Sequence, residues 1–197
     1  EHLGLSYCVI TSVNRDDLPD GGALIFAMCI SKIRELVPEC KVEVLIPDFN
    51  GSLKSLRQVI QAKPDVLNHN IESVPRIFHR VRPKGDYQRS LDLLARVKEL
   101  NPDIPSKSGI IVGMGEEIDE VGDTMRDLRG VGCELLTVGQ YLRPSDKHIA
   151  VSRFYTPDEF DQIRQLGERM GFKHVASGPL VRSSYHADKQ ARLYKNS

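Results

Sequence analysis

Apolar runs of strand length alternate with stretches whose apolar residues fall at helical spacing, and the alternation continues down the chain. The strand-like runs are LSYCVIT (5–11), KVEVLIP (41–47), DVLNHNI (65–71), SKSGIIVG (106–113), CELLTVGQ (133–140) and a short last one, KHVAS (173–177). Amphipathic stretches lie between them, near 22–37, 51–63, 87–100, 117–131 and 157–170. In the first, Ile25, Met28, Cys29, Ile33 and Leu36 recur at the period of one helix face. Thr156-Pro157-Asp158-Glu159 predicts a helix start, with a Thr cap, Pro at the first position and acids in the first turn.

Strands that alternate with helices predict an α/β fold with a parallel sheet and helices outside it. Repetition of βα around one core points to a barrel, yet five or six strands do not make an eightfold one. The barrel is therefore partial, or the sheet is open. Almost every strand runs at its C-terminal end into polar or glycine-rich residues: TSVNRDDLPDGG, PDFNG, NHNIE, GMGEE, GQYLRPS and SGPLVRSSYH. The segments that lead into the strands are plainer. Ligands in parallel α/β folds bind at the C-terminal strand ends, so these loops converge on one expected site.

Bulk composition narrows the function classes. A chain of 197 residues has room for one domain with a sizeable core. Lys plus Arg equals Asp plus Glu at 27 each, which gives no electrostatic case for nucleic acid or an anionic membrane. No apolar run approaches the roughly 20 residues of a spanning helix, and no signal peptide opens the chain. It begins with Glu, which suggests a cut or processed N-terminus. Cys8, Cys29, Cys40 and Cys133 match no metal or disulfide spacing and read as small buried hydrophobes in a reducing compartment. These features predict a soluble, intracellular domain.

Several groups are candidates for chemistry. Asp20-Gly21-Gly22 opens a helix whose N-terminus suits a carboxylate or phosphate, although a lone glycine pair also reads as a tight turn. Asn68, Asn70 and Glu72 share one side of a strand that should be buried on both faces, while Leu67, His69 and Ile71 share the other. Buried amides are costly unless bonded, so the first set is expected to line a polar interior. Gly109, Gly113, Gly115 and Glu116 resemble a phosphate nest without the dinucleotide fingerprint. Lys107 reads as a Schiff-base lysine or as a strand-entry lysine facing water. Arg182, Ser183, Ser184, Tyr185 and His186 crowd into one tail, with no nucleophile elbow and no evident acid partner.

Together, TSVNRDDLPDGGA, NHNIESVPR, VRPKGDYQRSL, PSKSGIIVGMGE, LLTVGQYLRPS and GFKHVASGPLVRSSYHAD resemble the lipoyl synthase family of radical S-adenosylmethionine enzymes. The resemblance runs from about Gly4 to Asp188 in the family's order. It implies a partial (β/α)6 barrel over 1–177, here without its first strand, and a tail over 178–197 that folds back over the barrel mouth. It implies two [4Fe–4S] clusters and S-adenosylmethionine as cofactors. Ser184 would ligate an iron of the auxiliary cluster, with Ser183 as second choice, and Arg182 and Tyr185 would position the tail and cluster. Asp20, Gly21 and Gly22 would meet the methionine end of S-adenosylmethionine, Asn70 and Glu72 its ribose, and Gly113, Gly115 and Glu116 its adenine region.

The implied reaction inserts two sulfur atoms, at C6 and C8 of an octanoyl chain on a lysine of a carrier domain. That carrier would be H protein or a 2-oxoacid dehydrogenase acyltransferase, with ferredoxin or flavodoxin as reductant. The expected location is cytoplasmic, or an organelle matrix if a longer N-terminus held a targeting signal. The family carries cysteine triplets of C-x4-C-x5-C and C-x3-C-x2-C type that this sequence lacks. The chain is therefore expected to be inactive alone, with no catalytic residue beyond the clusters. Two other readings stay open: a Schiff-base aldolase built on Lys107, and a degenerate copy that only binds lipoyl carrier domains.

Overall fold

The computed structural model describes residues 4–190, so residues 191–197 of the expected tail lie outside the described residues. Its strands are β1 (Tyr7–Thr11), β2 (Lys41–Leu45), β3 (Val66–Asn68), β4 (Ser106–Val112), β5 (Leu135–Gln140) and β6 (His174–Gly178). They form one six-stranded sheet in sequential order, and every pairing is parallel. Helices α1 (Ala23–Leu36), α2 (Leu53–Gln61), α3 (Pro75–Val81), α4 (Tyr87–Leu100), α5 (Ile118–Gly130) and α6 (Pro157–Arg169) fill the crossovers. No ladder joins β1 to β6 among the described residues, so the barrel is partial and open.

Burial follows sheet position. All six residues of β5 are buried, and in β4 only Ile111 is partly exposed, as expected of strands covered on both faces. At the edge, β1 pairs with β2 alone among the described residues and is only half-buried. Two apolar clusters make the core. One joins α1 and α2 to β2, and the other joins α5 and α6 to β4, β5 and β6. Helix α4 contributes to both, Leu93 and Val97 to the first and Leu91 and Leu94 to the second. Cys40 and Cys133 are buried within this frame, and burial pushes the Cys133 thiol up to about 12.

Local signals act where the sequence puts them. Thr156 accepts from the Glu159 N–H, and Glu159 reaches back to the Thr156 N–H, closing the capping box of α6. Two elements differ from expectation. The run 65–71 yields a ladder only over Val66–Asn68, because Ser108 Oγ takes the Ile71 N–H and Glu72 turns left-handed at φ 70°. Pairing resumes one step later, where Glu72 bonds Gly109 and Ile111 through its backbone. Helix α3 has no periodic signal in the sequence: at seven residues it is too short for one, although Pro75 at its first position marks it.

Candidate functional site

The loops at the C-terminal strand ends enclose two adjoining cavities. One, of about 230 Å³, is bounded by Asn14, Asn70, Glu72 and Arg82, and the other, of about 240 Å³, by Arg15, Gly22 and Phe26. Thr11 and Ser12, at the end of β1, line both. Asn70 and Glu72 thus reach the expected mouth. Burial pushes the Glu72 carboxyl above its ordinary range, against the opposing pull of the Arg82 guanidinium and a bond from Asn70. Arg82 also donates to the Asn70 carbonyl at 3.3 Å. Its role is not legible in the sequence, because it follows a helix that periodicity misses.

Asp20, Gly21 and Gly22 build the turn into α1. Both glycines are left-handed, at φ 62° and 86°, and a Cβ on Gly21 would sit 2.9 Å from the Phe49 ring. The Asp20 carboxylate accepts the Gly22 and Leu24 N–H groups at 3.0 and 2.8 Å, and these bonds hold it below the usual carboxylate range. Gly22 alone of the three borders the second cavity.

The Gly113–Glu116 nest holds an anion of its own. Glu116 accepts the Gly113 N–H at 2.6 Å, the Met114 N–H at 2.9 Å and the Tyr155 hydroxyl at 2.8 Å. A carboxylate so bonded occupies the position a phosphate would take. Gly113, at φ 106°, has no room for a side chain against the Gln140 amide. The carbonyl of Gly115 takes the Arg76 guanidinium at 2.8 Å.

Inside the barrel the structure differs from both expectations for Lys107. Lys107 is neither strand-entry surface nor an open nucleophile: it is fully buried, with Nζ 3.0 Å from Glu43 Oε1. Glu43 also accepts from the Tyr7 hydroxyl at 2.7 Å and from Asn68 Nδ2 at 3.3 Å. Burial pulls the Lys107 ammonium down and Glu43 holds it up, while burial together with Glu43 drives the Tyr7 phenol above its usual range. An ammonium shared between a carboxylate and a main-chain carbonyl leaves no opening for an aldehyde, which removes the aldolase reading.

The tail from Gly178 enters this interior. Lys107 Nζ donates to the Ser183 carbonyl at 2.6 Å, and Asn70 Nδ2 donates to Ser183 Oγ at 2.9 Å. Ser184 is exposed, its hydroxyl carries no hydrogen bond among the described residues, and it opens on a cavity of about 430 Å³ beside Ser6, Tyr7 and Val9. Arg182 bonds the Val181 carbonyl at 2.6 Å, and the Tyr185 ring stands edge-on to His186 with centroids 4.4 Å apart. Gly139 lets the Val181 carbonyl cross β5 where any Cβ would collide with it.

The donor set for a metal is incomplete. Among the described residues no group of three or more His, Cys, Asp or Glu side chains could hold a metal ion; the thiols of Cys8 and Cys40 adjoin but gain no third ligand. These residues therefore do not make a [4Fe–4S] site by themselves. No helix among them is long and apolar enough to cross a membrane.

The sequence model of the radical SAM superfamily matches residues 1–128. The chain belongs to the radical SAM superfamily. It is 59% identical over 186 residues to a lipoyl synthase of Caldanaerobacter subterraneus subsp. tengcongensis, covering 94% of this chain and 65% of that one. A lipoyl synthase of Rubrobacter xylanophilus is 56% identical over 188 residues, covering 95% of this chain and 59% of that one. The chain thus spans about three fifths of the length of these curated relatives. Among solved structures, the fold is similar to that of methylornithine synthase, with TM-score 0.65 and 12% identity over 86% of this chain and 48% of that one. A domain of a pyruvate-formate lyase-activating enzyme from Bacteroides vulgatus gives TM-score 0.63 and 14% identity, covering 86% and 98%. These structural likenesses show the fold alone, an open parallel α/β sheet consistent with a partial barrel.

Proposed function

We propose that this chain is the barrel portion of a lipoyl synthase, which inserts two sulfur atoms at C6 and C8 of a protein-bound octanoyl-lysine. The observation that carries the reading is 59% identity to a lipoyl synthase across 94% of the chain. The mouth of the barrel supports it. Asn70 and Glu72, with Arg82, Thr11 and Ser12, offer an amide, a carboxylic acid, a guanidinium and hydroxyls, a donor set suited to ribose hydroxyls and an amino-acid head group. When bound there, S-adenosylmethionine supplies the radical chemistry that removes the two hydrogens.

The residues of this chain orient and shield. Gly22 gives the methionine end a close approach beside the start of α1, while Gly21 and Asp20 shape the turn. Gly113, Gly115 and Glu116 fix the wall of the adenine region through the bonds of Glu116. Of the two serines, Ser184 has the unengaged hydroxyl among the described residues, which favours it over Ser183 as the ligand to an auxiliary cluster. An oxygen in place of a thiolate would leave that iron easier to lose, and Ser184→Cys should slow cluster breakdown. Arg182 and Tyr185 flank that serine. The substrate would be an octanoylated carrier domain, H protein or an acyltransferase of a 2-oxoacid dehydrogenase, with ferredoxin or flavodoxin as reductant. A reducing compartment such as the cytoplasm suits the free cysteines.

The absence of a metal-ligand group among the described residues favours the companion claim that these 197 residues alone make no lipoyl product. The test is to assay the chain with octanoyl H protein, reductant and S-adenosylmethionine, alone and fused behind a segment bearing both cysteine triplets. Product only from the fusion supports the proposal, and turnover by the chain alone overturns the claim of inactivity. Carrier binding without S-adenosylmethionine binding, and no product from the fusion, would favour a degenerate carrier-binding copy.

A further inference from the structure

A buried ion pair needs a reason. Replacing such a pair with apolar residues of similar volume is often neutral or stabilising, so Glu43 and Lys107 are poorly explained as a source of stability. What apolar residues would not supply is the second bond of Lys107, to the Ser183 carbonyl 76 residues away. Among the described residues the other main-chain bonds of the tail are local, as from Val181 to Gly178 and from Tyr185 to Arg182. Besides Lys107, the long-range polar hold on Ser183 among the described residues comes from Asn70. Because the acceptor is a main-chain oxygen, the grip fixes the backbone immediately before Ser184. Tyr7, which donates to Glu43, lines the same cavity as Ser184, so the network runs from the cavity wall to the tail.

We propose that Lys107, held in place by Glu43 and Tyr7, is the positioning residue of the RSSY tail: it grips the Ser183 carbonyl from within the barrel and so sets where Ser184 presents its oxygen. The inference rests on the reading of Ser184 as the tail's ligand for its purpose, but not for its test. Glu43 compensates the ammonium, and Asn68 adds a second donor that holds the carboxylate. Gly139 provides the gap through which the tail reaches Lys107.

The experiment is hydrogen exchange of the purified chain, following peptides that cover 182–190 and, as internal control, β4 and β5. In Glu43→Gln with Lys107→Met, the pair is gone and no lone charge remains. Tail amides should then exchange at least about tenfold faster, the loss of one hydrogen bond to a charged group, while β4 and β5 keep their rates. A purely structural pair would move core and tail together. Should that variant not fold, Glu43→Gln with Lys107→Gln keeps a polar pair whose shorter side chain at 107 falls short of the Ser183 carbonyl. Tail exchange that stays at the wild-type rate in a folded double variant overturns the proposal. The readout needs no metal, so it can fail while Ser184 is still a ligand, and Ser184→Ala with normal iron content in the triplet-bearing fusion would sink the ligand reading alone.

Discussion

Lys107 and Glu43 face each other inside the barrel with side-chain exposures of 0% and 1%, bonded at 3.0 Å. Removal of one partner leaves the other charged and buried. Lys107→Met should therefore lose about 3–5 kcal/mol of stability, the usual cost of breaking a buried pair. Joined to Glu43→Gln, the same substitution should recover most of the loss. Urea denaturation of the two singles and the double completes the cycle. Additive losses would mean that the two side chains do not depend on one another.

His69 gives a second, pH-dependent expectation. Its ring lies between the Ile46 carbonyl at 2.9 Å and Ser90 Oγ at 3.0 Å. Burial pushes its pKa down from 6.5 to about 4, assisted by the nearby Arg82 and Arg89 and opposed by the Ile46 bond and Asp48. The unfolded chain then binds a proton that the folded chain refuses between those values. Stability should hold above pH 6.5 and fall as the pH drops toward 4, by about 3 kcal/mol from this site. Stability measured at intervals from pH 7.5 to 4, in wild type and His69→Gln, isolates the contribution. Equal slopes in the two proteins would remove His69 as the cause.

Much of this fold is legible in the sequence because periodicity reports burial directly. Six apolar runs gave six strands in order, and the period-2 reading put Leu67, His69 and Ile71 on one side and Asn68, Asn70 and Glu72 on the other. The interior pair was not legible for a physical reason. Glu43 sits between Val42 and Val44, so it looks like the solvent-facing member of an alternating strand. Only a sheet covered on both faces turns that residue inward, and its partner lies 64 residues further on. Local spacing carries no record of such a pairing. The same holds for Glu116, whose acid looked available for a ligand until the fold supplied Tyr155 from across the mouth.

That internal use of Glu116 yields a third prediction. Its two oxygens take the Gly113 and Met114 N–H groups and the Tyr155 hydroxyl, with no room for a competing anion at the same atoms. Glu116→Gln replaces an acceptor by a donor and weakens charge-assisted bonds. The expected loss is about 1.5–3 kcal/mol in urea denaturation, before any ligand is added. Unchanged stability with weakened S-adenosylmethionine binding would instead mean that Glu116 serves the ligand alone.

The two serines of the tail should separate by stability. Ser183 Oγ accepts from Asn70 Nδ2 at 2.9 Å and lies 3.2 Å from Asn70 Oδ1, to which its hydroxyl donates. Ser184 makes no comparable bond among the described residues and stands at the surface. Ser183→Ala should therefore cost about 1 kcal/mol by removing its bonds to Asn70, whereas Ser184→Ala should change stability by less than about 0.5 kcal/mol. A side chain that contributes nothing to the fold keeps its oxygen available for a ligand, so the same pair of variants separates scaffold from site. Urea denaturation of both decides it. If Ser184→Ala proves the more damaging in the absence of any metal, its hydroxyl is part of the scaffold, and Ser183 becomes the serine to test for iron.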